Sequence, residues 1–162
     1  MARRKKKKAV RVIHLSAGPL PARFSAAAAG RCLAFSDASR QQHGGLAVVL
    51  YPADGSAAKV VTRSVAVEGS NELELRAALL ALEQAAVHFP GVPLALFSDN
   101  QDAVLRLNRA LTLGLNQDPG LAARLPGASG ISAVDTIIRW IPGHSSCRGN
   151  AEADHHARQA AI

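Results

Sequence analysis

The chain has 162 residues, 48% of them hydrophobic, which suffices for one sizeable core and excludes disorder throughout. No apolar run reaches the roughly 18 residues of a membrane span, and the charged N-terminus lacks the apolar region of a secretory signal. We therefore expect a soluble intracellular protein, nuclear or cytoplasmic, acting as a monomer with no membrane partner. Two cysteines, Cys32 and Cys147, make neither a disulfide framework nor a paired zinc motif. The formal charge of +7 belongs to a tail: six of the 19 Lys and Arg lie in "RRKKKK", residues 3–8, and the others nearly balance the 12 acids. Such a run binds phosphates through counterion release or serves as a nuclear address, and it is equally a solvated end.

Residues 1–29 combine this run with Pro, Ala and Gly around one short alternating piece, "VRVIHL", and read as a flexible appendage to a domain spanning 30–162. From Arg31 the pattern sharpens. "CLAFSD" reads as a strand ending at Asp37, "GGLAVVLYP" as a second strand entered through Gly44 and Gly45, and "AAKVVTRSVAV" as a third. Short turns between them predict an antiparallel meander. "SNELELRAALLALEQAAVHF" is helical, with Leu75, Leu79, Leu82, Ala86 and Phe89 forming an apolar stripe and Ser70 or Asn71 available as its cap. "VPLALFSDN" is the near-continuous apolar run of a strand covered on both faces. A helix, "NQDAVLRLNRAL", a Gly/Pro-rich stretch over 112–130, a strand, "VDTIIRWI", and a helix from about Asn150 complete the order βββαβαβα. Helical crossovers make the later pairings parallel. The expected fold is α/β: a five-stranded mixed sheet, three antiparallel strands then two parallel ones, with helices on both faces.

Placing the acids on this layout gives it a chemistry. Asp37 and Asp99 end neighbouring strands, while Glu74 and Asp154 lie in the first turns of two helices. Ligands of open α/β sheets gather beyond the carboxyl ends of the strands. Four acids converging there repel one another unless cations sit between them, and oxygen donors favour Mg²⁺, or Mn²⁺ in its place. Two such ions about 4 Å apart suit attack of water on a phosphodiester. Singly, each acid has a plainer reading: Asp37 and Asp99 as turn or cap residues, Asp154 as a favourable charge at a helix start, and Glu74 in a capping box with Asn71. Glu72 and Glu74 both border the apolar stripe, so helical geometry does not choose between them. His144, in a loop between Gly143 and two serines, suits proton transfer. The adjacent His155 and His156 point about 100° apart on a helix and do not chelate one metal.

The stretches "FSDASRQQHGGLAVVL", "NELELRAALLALEQA", "FSDNQDAV" and "WIPGHSSCRGNAEADHHAR" resemble type 1 ribonuclease H, in family order over most of residues 31–160. The resemblance implies a ribonuclease H-like fold and endonucleolytic hydrolysis of the RNA strand of an RNA/DNA hybrid with two divalent cations. It matches the family acids to Asp37, Glu74, Asp99 and Asp154, its "ELxAALxAL" frame choosing Glu74 over Glu72, and matches His144 to a loop His assisting proton movement and product release. It implies substrate contacts at Ser39, Gly44, Gly45, Ser70, Asn71, Gln101 and Asn150, where amides and hydroxyls can recognise a ribose 2′-hydroxyl. The "WIPGH" and "RGNAEAD" wording is most similar to ribonuclease H domains of non-LTR retrotransposon polyproteins, which implies a reverse transcriptase domain as a partner. Three departures imply weak hybrid binding unless the basic tail or a tethered polymerase holds the nucleic acid. Only Arg109 and Arg124 are cationic between Arg109 and Ala133, only Phe24 is aromatic before Arg31, and Gly69 stands where many relatives have a phosphate-binding Thr.

Other classes fit less well. A catalytically silent ribonuclease H-like module, binding nucleic acid or acting as the scaffold of a reverse transcriptase, would not need all four acids. A 3′ to 5′ exonuclease of related fold typically has an acid two residues after its first Asp, where Ser39 stands. Integrase-like strand transfer needs another spacing of the last acid, and no G-x-S-x-G elbow, P-loop or dinucleotide fingerprint is present.

Overall fold

The computed structural model describes residues 19–124, 135–143 and 147–162; the basic run and His144 lie outside them. A short helix, α1 (Ser25–Ala28), precedes the meander of β1 (Cys32–Arg40), β2 (Gly44–Tyr51) and β3 (Lys59–Val65), antiparallel as expected. Helix α2 (Ser70–His88) crosses to β4 (Leu94–Ser98), which lies parallel to β1, and α3 (Gln101–Leu113) and α4 (Pro119–Ala122) lead to β5 (Thr136–Trp140), parallel to β4. Helix α5 (Arg148–Ala160) closes the chain. The sheet order is β3-β2-β1-β4-β5, so the chain moves outward one way from β1 and the other way from β4. The reversal leaves a crevice between those two strands. Among the described residues, no helix is long and apolar enough to cross a membrane.

Period-two alternation sorts the strands onto two cores. Ala34, Leu46, Val48, Leu50, Leu96 and Ile138 face α2 and α3, while Phe35, Val49, Ala95 and Phe97 face the other side with Ala153 of α5. The Phe35 and Phe97 rings stack there at 5.2 Å, and Phe24 tilts onto Phe97 at 5.6 Å. Leu20 and Ala28 are buried in that same core, and the Gly149 N–H donates to Pro19 O at 3.0 Å. Leu20, Phe24 and Ala28 of the segment read as an appendage thus pack against the sheet.

Several elements differ from the sequence expectation for identifiable reasons. Strand β1 runs past Asp37 to Arg40, because β2 keeps pairing with it through Arg40↔Gly44 after β4 has turned away. Helix α2 is buried over a wider arc than one stripe, including Leu73, Ala77, Leu80 and Ala81, since the sheet and α3 both pack on it. Ala86 is exposed, and Ala85 takes its place. The N-cap of α2 is Gly69, with no side-chain cap bond from Ser70 or Asn71.

The Gly/Pro-rich stretch contains α4. Four residues do not hold a helix alone. Asp118 caps it by accepting from the Leu121 N–H at 3.1 Å, Arg106 of α3 forks Asp118 at 2.7 and 3.0 Å, and Leu121 is wholly buried. That burial contributes about 2 kcal/mol of transfer free energy, enough to decide the matter for so short an element.

Candidate active site

Asp37, Glu74 and Asp99 come together where β4 ends and β1 continues. One carboxylate oxygen from each lies within 4.8 Å of the others. Asp37 is buried on β1 and accepts the Ala38 N–H at 2.9 Å; Glu74 reaches in from the second turn of α2; Asp99 is the first residue after β4. Burial lifts the Asp37 carboxyl well above the usual carboxylate range, with the Asp99 charge adding to it, the Glu74 and Ala38 contacts opposing it, and the Asp154 charge lifting it further. Glu74 is lifted too, first by burial and then by the charges of Asp37 and Asp99. Both carboxyls therefore hold their protons more tightly than free ones, because burial and neighbouring negative charge disfavour ionisation.

Asp154 projects from the second turn of α5, outside the three-acid set but close enough to act on Asp37. Its carboxylate pairs with Arg158 one turn further on, at 3.1 Å. Glu72 turns away from the cluster and pairs with Arg124, beyond α4. The structure thus separates the two glutamates that helical geometry left open. The donors present fit hard divalent cations: they are all oxygens, and Glu74 Oε2 is buried with no hydrogen-bond partner, an atom a cation would satisfy.

The C-terminal motif holds Asp99 in place. Trp140 Nε1 donates to Asp99 O at 3.0 Å, the Ile141 N–H donates to Ser98 O at 3.0 Å, and Asn150 Nδ2 approaches Asp99 Oδ2 at 3.4 Å. A Cβ on Gly143 would stand 2.9 Å from Asp99 Oδ2, so a side chain here would push the carboxylate aside. Asn150 is buried, so it touches Asp99 rather than presenting a surface for substrate. None of the roles of Trp140 or Gly143 was read from sequence, because both act on a strand end some forty residues earlier.

The other expected substrate positions divide sharply. Ser70, Asn71 and Gln101 are exposed at the starts of α2 and α3, beside the acids, and Ser39 is half-buried on β1. Gly44 and Gly45 are buried, so the contact expected of them finds no exposed surface. What they supply is space: a Cβ at 44 would lie 2.7 Å from Leu73 Cδ2, and one at 45 would run into the backbone of α5. Asn100 and Asp102, not singled out in sequence, bond to Asn71 across the two helix starts. Cys32 and Cys147 are both buried, and burial pushes the Cys32 thiol up to about 11, an inert state.

A mixed five-stranded sheet with an acid cluster at the reversal between β1 and β4 defines an α/β domain of the ribonuclease H-like class. The RNase H family model matches residues 30–162, and the chain belongs to that family, the ribonucleases H. No curated protein matches it. Among solved structures it is similar to RNase H1 of the halophilic archaeon Halobacterium salinarum, at 24% identity over 81% of this chain and 97% of that one, TM-score 0.59. LC11-RNase H1 in complex with an RNA/DNA hybrid is 15% identical over 80% and 95%, TM-score 0.58. A foamy viral protease-reverse transcriptase in complex with double-stranded DNA is 15% identical over 83% and 94%, TM-score 0.61. At these identities the likeness is one of fold.

Proposed function

We propose that this ribonuclease H hydrolyses the RNA strand of RNA/DNA hybrids endonucleolytically, using two Mg²⁺ ions, for which Mn²⁺ substitutes. The observation that carries the reading is the meeting of Asp37, Glu74 and Asp99 oxygens within 4.8 Å in a family member. These three hold the ions together with Asp154. When bound, the ions activate the attacking water and stabilise the leaving oxygen. The protein's own part is placement: the middle of β1 and the end of β4 fix two acids, α2 and α5 bring the others, Trp140 and Asn150 hold Asp99, and Gly143 leaves room for its carboxylate. His144 takes up and delivers protons, a role that rests on its match to the family loop His. Ser39, Ser70, Asn71 and Gln101 line the approach of the hybrid, and LC11-RNase H1, a structural neighbour, was solved with one.

The decisive assay compares cleavage of labelled hybrid, duplex RNA and duplex DNA, with Mg²⁺ and with chelator. Cutting confined to the RNA of the hybrid and abolished by chelator is expected; binding without cutting would mark a silent scaffold module instead. The two glutamates give a sharper check. Glu74→Gln should lower the cleavage rate at least a hundredfold, the scale of one missing electrostatic partner in a site of this kind, whereas Glu72→Gln should stay within about threefold of the parent.

The basic tail, or a reverse transcriptase domain in the same polyprotein, holds the nucleic acid in this reading, since the sequence between Arg109 and Ala133 has only Arg109 and Arg124 as cations and Arg124 pairs with Glu72. Deleting residues 2–8 should flatten the salt dependence of hybrid binding, by roughly 0.9 in the logarithmic slope for each phosphate that the tail had neutralised. An unchanged slope would remove the tail from the substrate path.

A further inference from the structure

The first turns of α2 and α3 are joined by three side chains whose hydrogen bonds run in one direction. Asn100 caps α3 by accepting the Ala103 N–H on Oδ1 at 2.8 Å. A backbone N–H only donates, so Oδ1 is committed and Asn100 Nδ2 faces Asn71, donating to its Oδ1 at 3.0 Å. Asn71 Nδ2 then donates to Asp102 Oδ2 at 3.1 Å. A lone amide can exchange its oxygen and nitrogen by a half-turn. Here a backbone donor at one end and an acceptor-only carboxylate at the other permit a single sense.

This relay borders the acid cluster: Asn71 is three residues before Glu74 on the same helix, and Asn100 directly follows Asp99. Asn71 and Asp102 are exposed, so water competes for their bonds and the fold gains little from them. An exposed carboxylate beside the path of a polyanion also weakens binding. A benefit that offsets this is the orientation of Asn71, an exposed side chain that keeps one N–H and one carbonyl lone pair beyond these two bonds. A ribose 2′-hydroxyl both donates and accepts, and it is the group that distinguishes RNA from DNA.

We propose that Asp102 is a positioning residue for sugar discrimination, holding the Asn71 amide in the one orientation that meets a 2′-hydroxyl next to the cut. The proposal rests on the hybrid reading above and adds to it a residue that touches no substrate. Asp102 lowers affinity for any nucleic acid through its charge and raises preference for the ribose strand through Asn71.

The test measures binding of the full chain to a labelled hybrid and to a DNA duplex of the same sequence, at low salt in chelator. Asp102→Ala should tighten binding to the DNA duplex while lowering the hybrid preference about tenfold, as removal of one hydrogen bond allows. Asp102→Asn, which still offers Asn71 a carbonyl oxygen, should lose the charge effect and keep most of the preference. In an Asn71→Ala background, Asp102→Ala should leave the preference unchanged. The proposal is overturned if the parent shows no hybrid preference, if Asp102→Ala retains it, or if Asp102→Ala lowers it equally without Asn71. A parent that prefers the hybrid but does not cut it would refute the proposed hydrolysis and leave this inference standing.

Discussion

Asp99→Asn is expected to cost at least a hundredfold in hybrid cleavage and yet to raise the melting temperature of the metal-free protein at pH 8. Both effects follow from one charge. Asp99 is a leading cause, after burial, of the raised proton affinity of Asp37 and a contributor to that of Glu74. A carboxyl whose folded affinity is raised stabilises the fold only while protonated, so its contribution is full below the unfolded value near 4 and fades as pH rises through the folded value. At pH 8 the metal-free cluster is therefore a net liability, and removing one charge relieves about 1 kcal/mol, or roughly 2–4 °C for a chain of this size. Near pH 4 the gain should vanish. Mg²⁺ should raise the melting temperature of the parent at pH 8 and do so much less for the variant, because the ions bind only where the carboxylates are charged. Calorimetry across pH with and without Mg²⁺ decides it, and a variant less stable than the parent in chelator at pH 8 would contradict the account.

Gly45→Ala should be the most damaging small substitution on the sheet. The added Cβ would run into Ala157 O and stand 2.7 Å from Ala161 N, and these are backbone atoms of α5 and its end, with no rotamer to give way. Either α5 lifts from β2 or the strand bends. Overpacking against backbone costs about 3 kcal/mol, lowering the melting temperature by roughly 6–12 °C. Because α5 also carries Asn150 and Asp154, cleavage should fall well below the melting transition. Gly69→Ala is the control: its Cβ meets nothing within 4 Å, and thermal melts should show it close to the parent.

The fold was legible because period-two and helical patterns reported which side chains are buried, and β4 is buried on both faces as its apolar run suggested. What escaped was set by partners distant in sequence. "DASR" after "CLAFS" looks like a turn, since only pairing with β2 keeps it extended. The glycines of "HGG" looked like substrate contacts because the approach of α5 and Leu73 cannot be seen locally. Two misses did carry a signal. Asp118-Pro119 is a cap followed by Pro at the first helical position, the start of α4. Asn100 is a helix cap, not the first helical residue. The acids were legible as a set; helical geometry left Glu72 and Glu74 open, the family resemblance chose Glu74, and the pairing of Glu72 with Arg124 gives the physical reason.

The central strand of this sheet packs against the last helix, more than a hundred residues further along, and Asp99 leans on Trp140, Gly143 and Asn150. A chain that stops short of β5 possesses Asp37, Glu74 and Asp99 but not the wall that aligns them, so the acid cluster is set in place only once β5 and α5 have been added to the domain. Catalytic output thereby doubles as a gauge of completed domain folding.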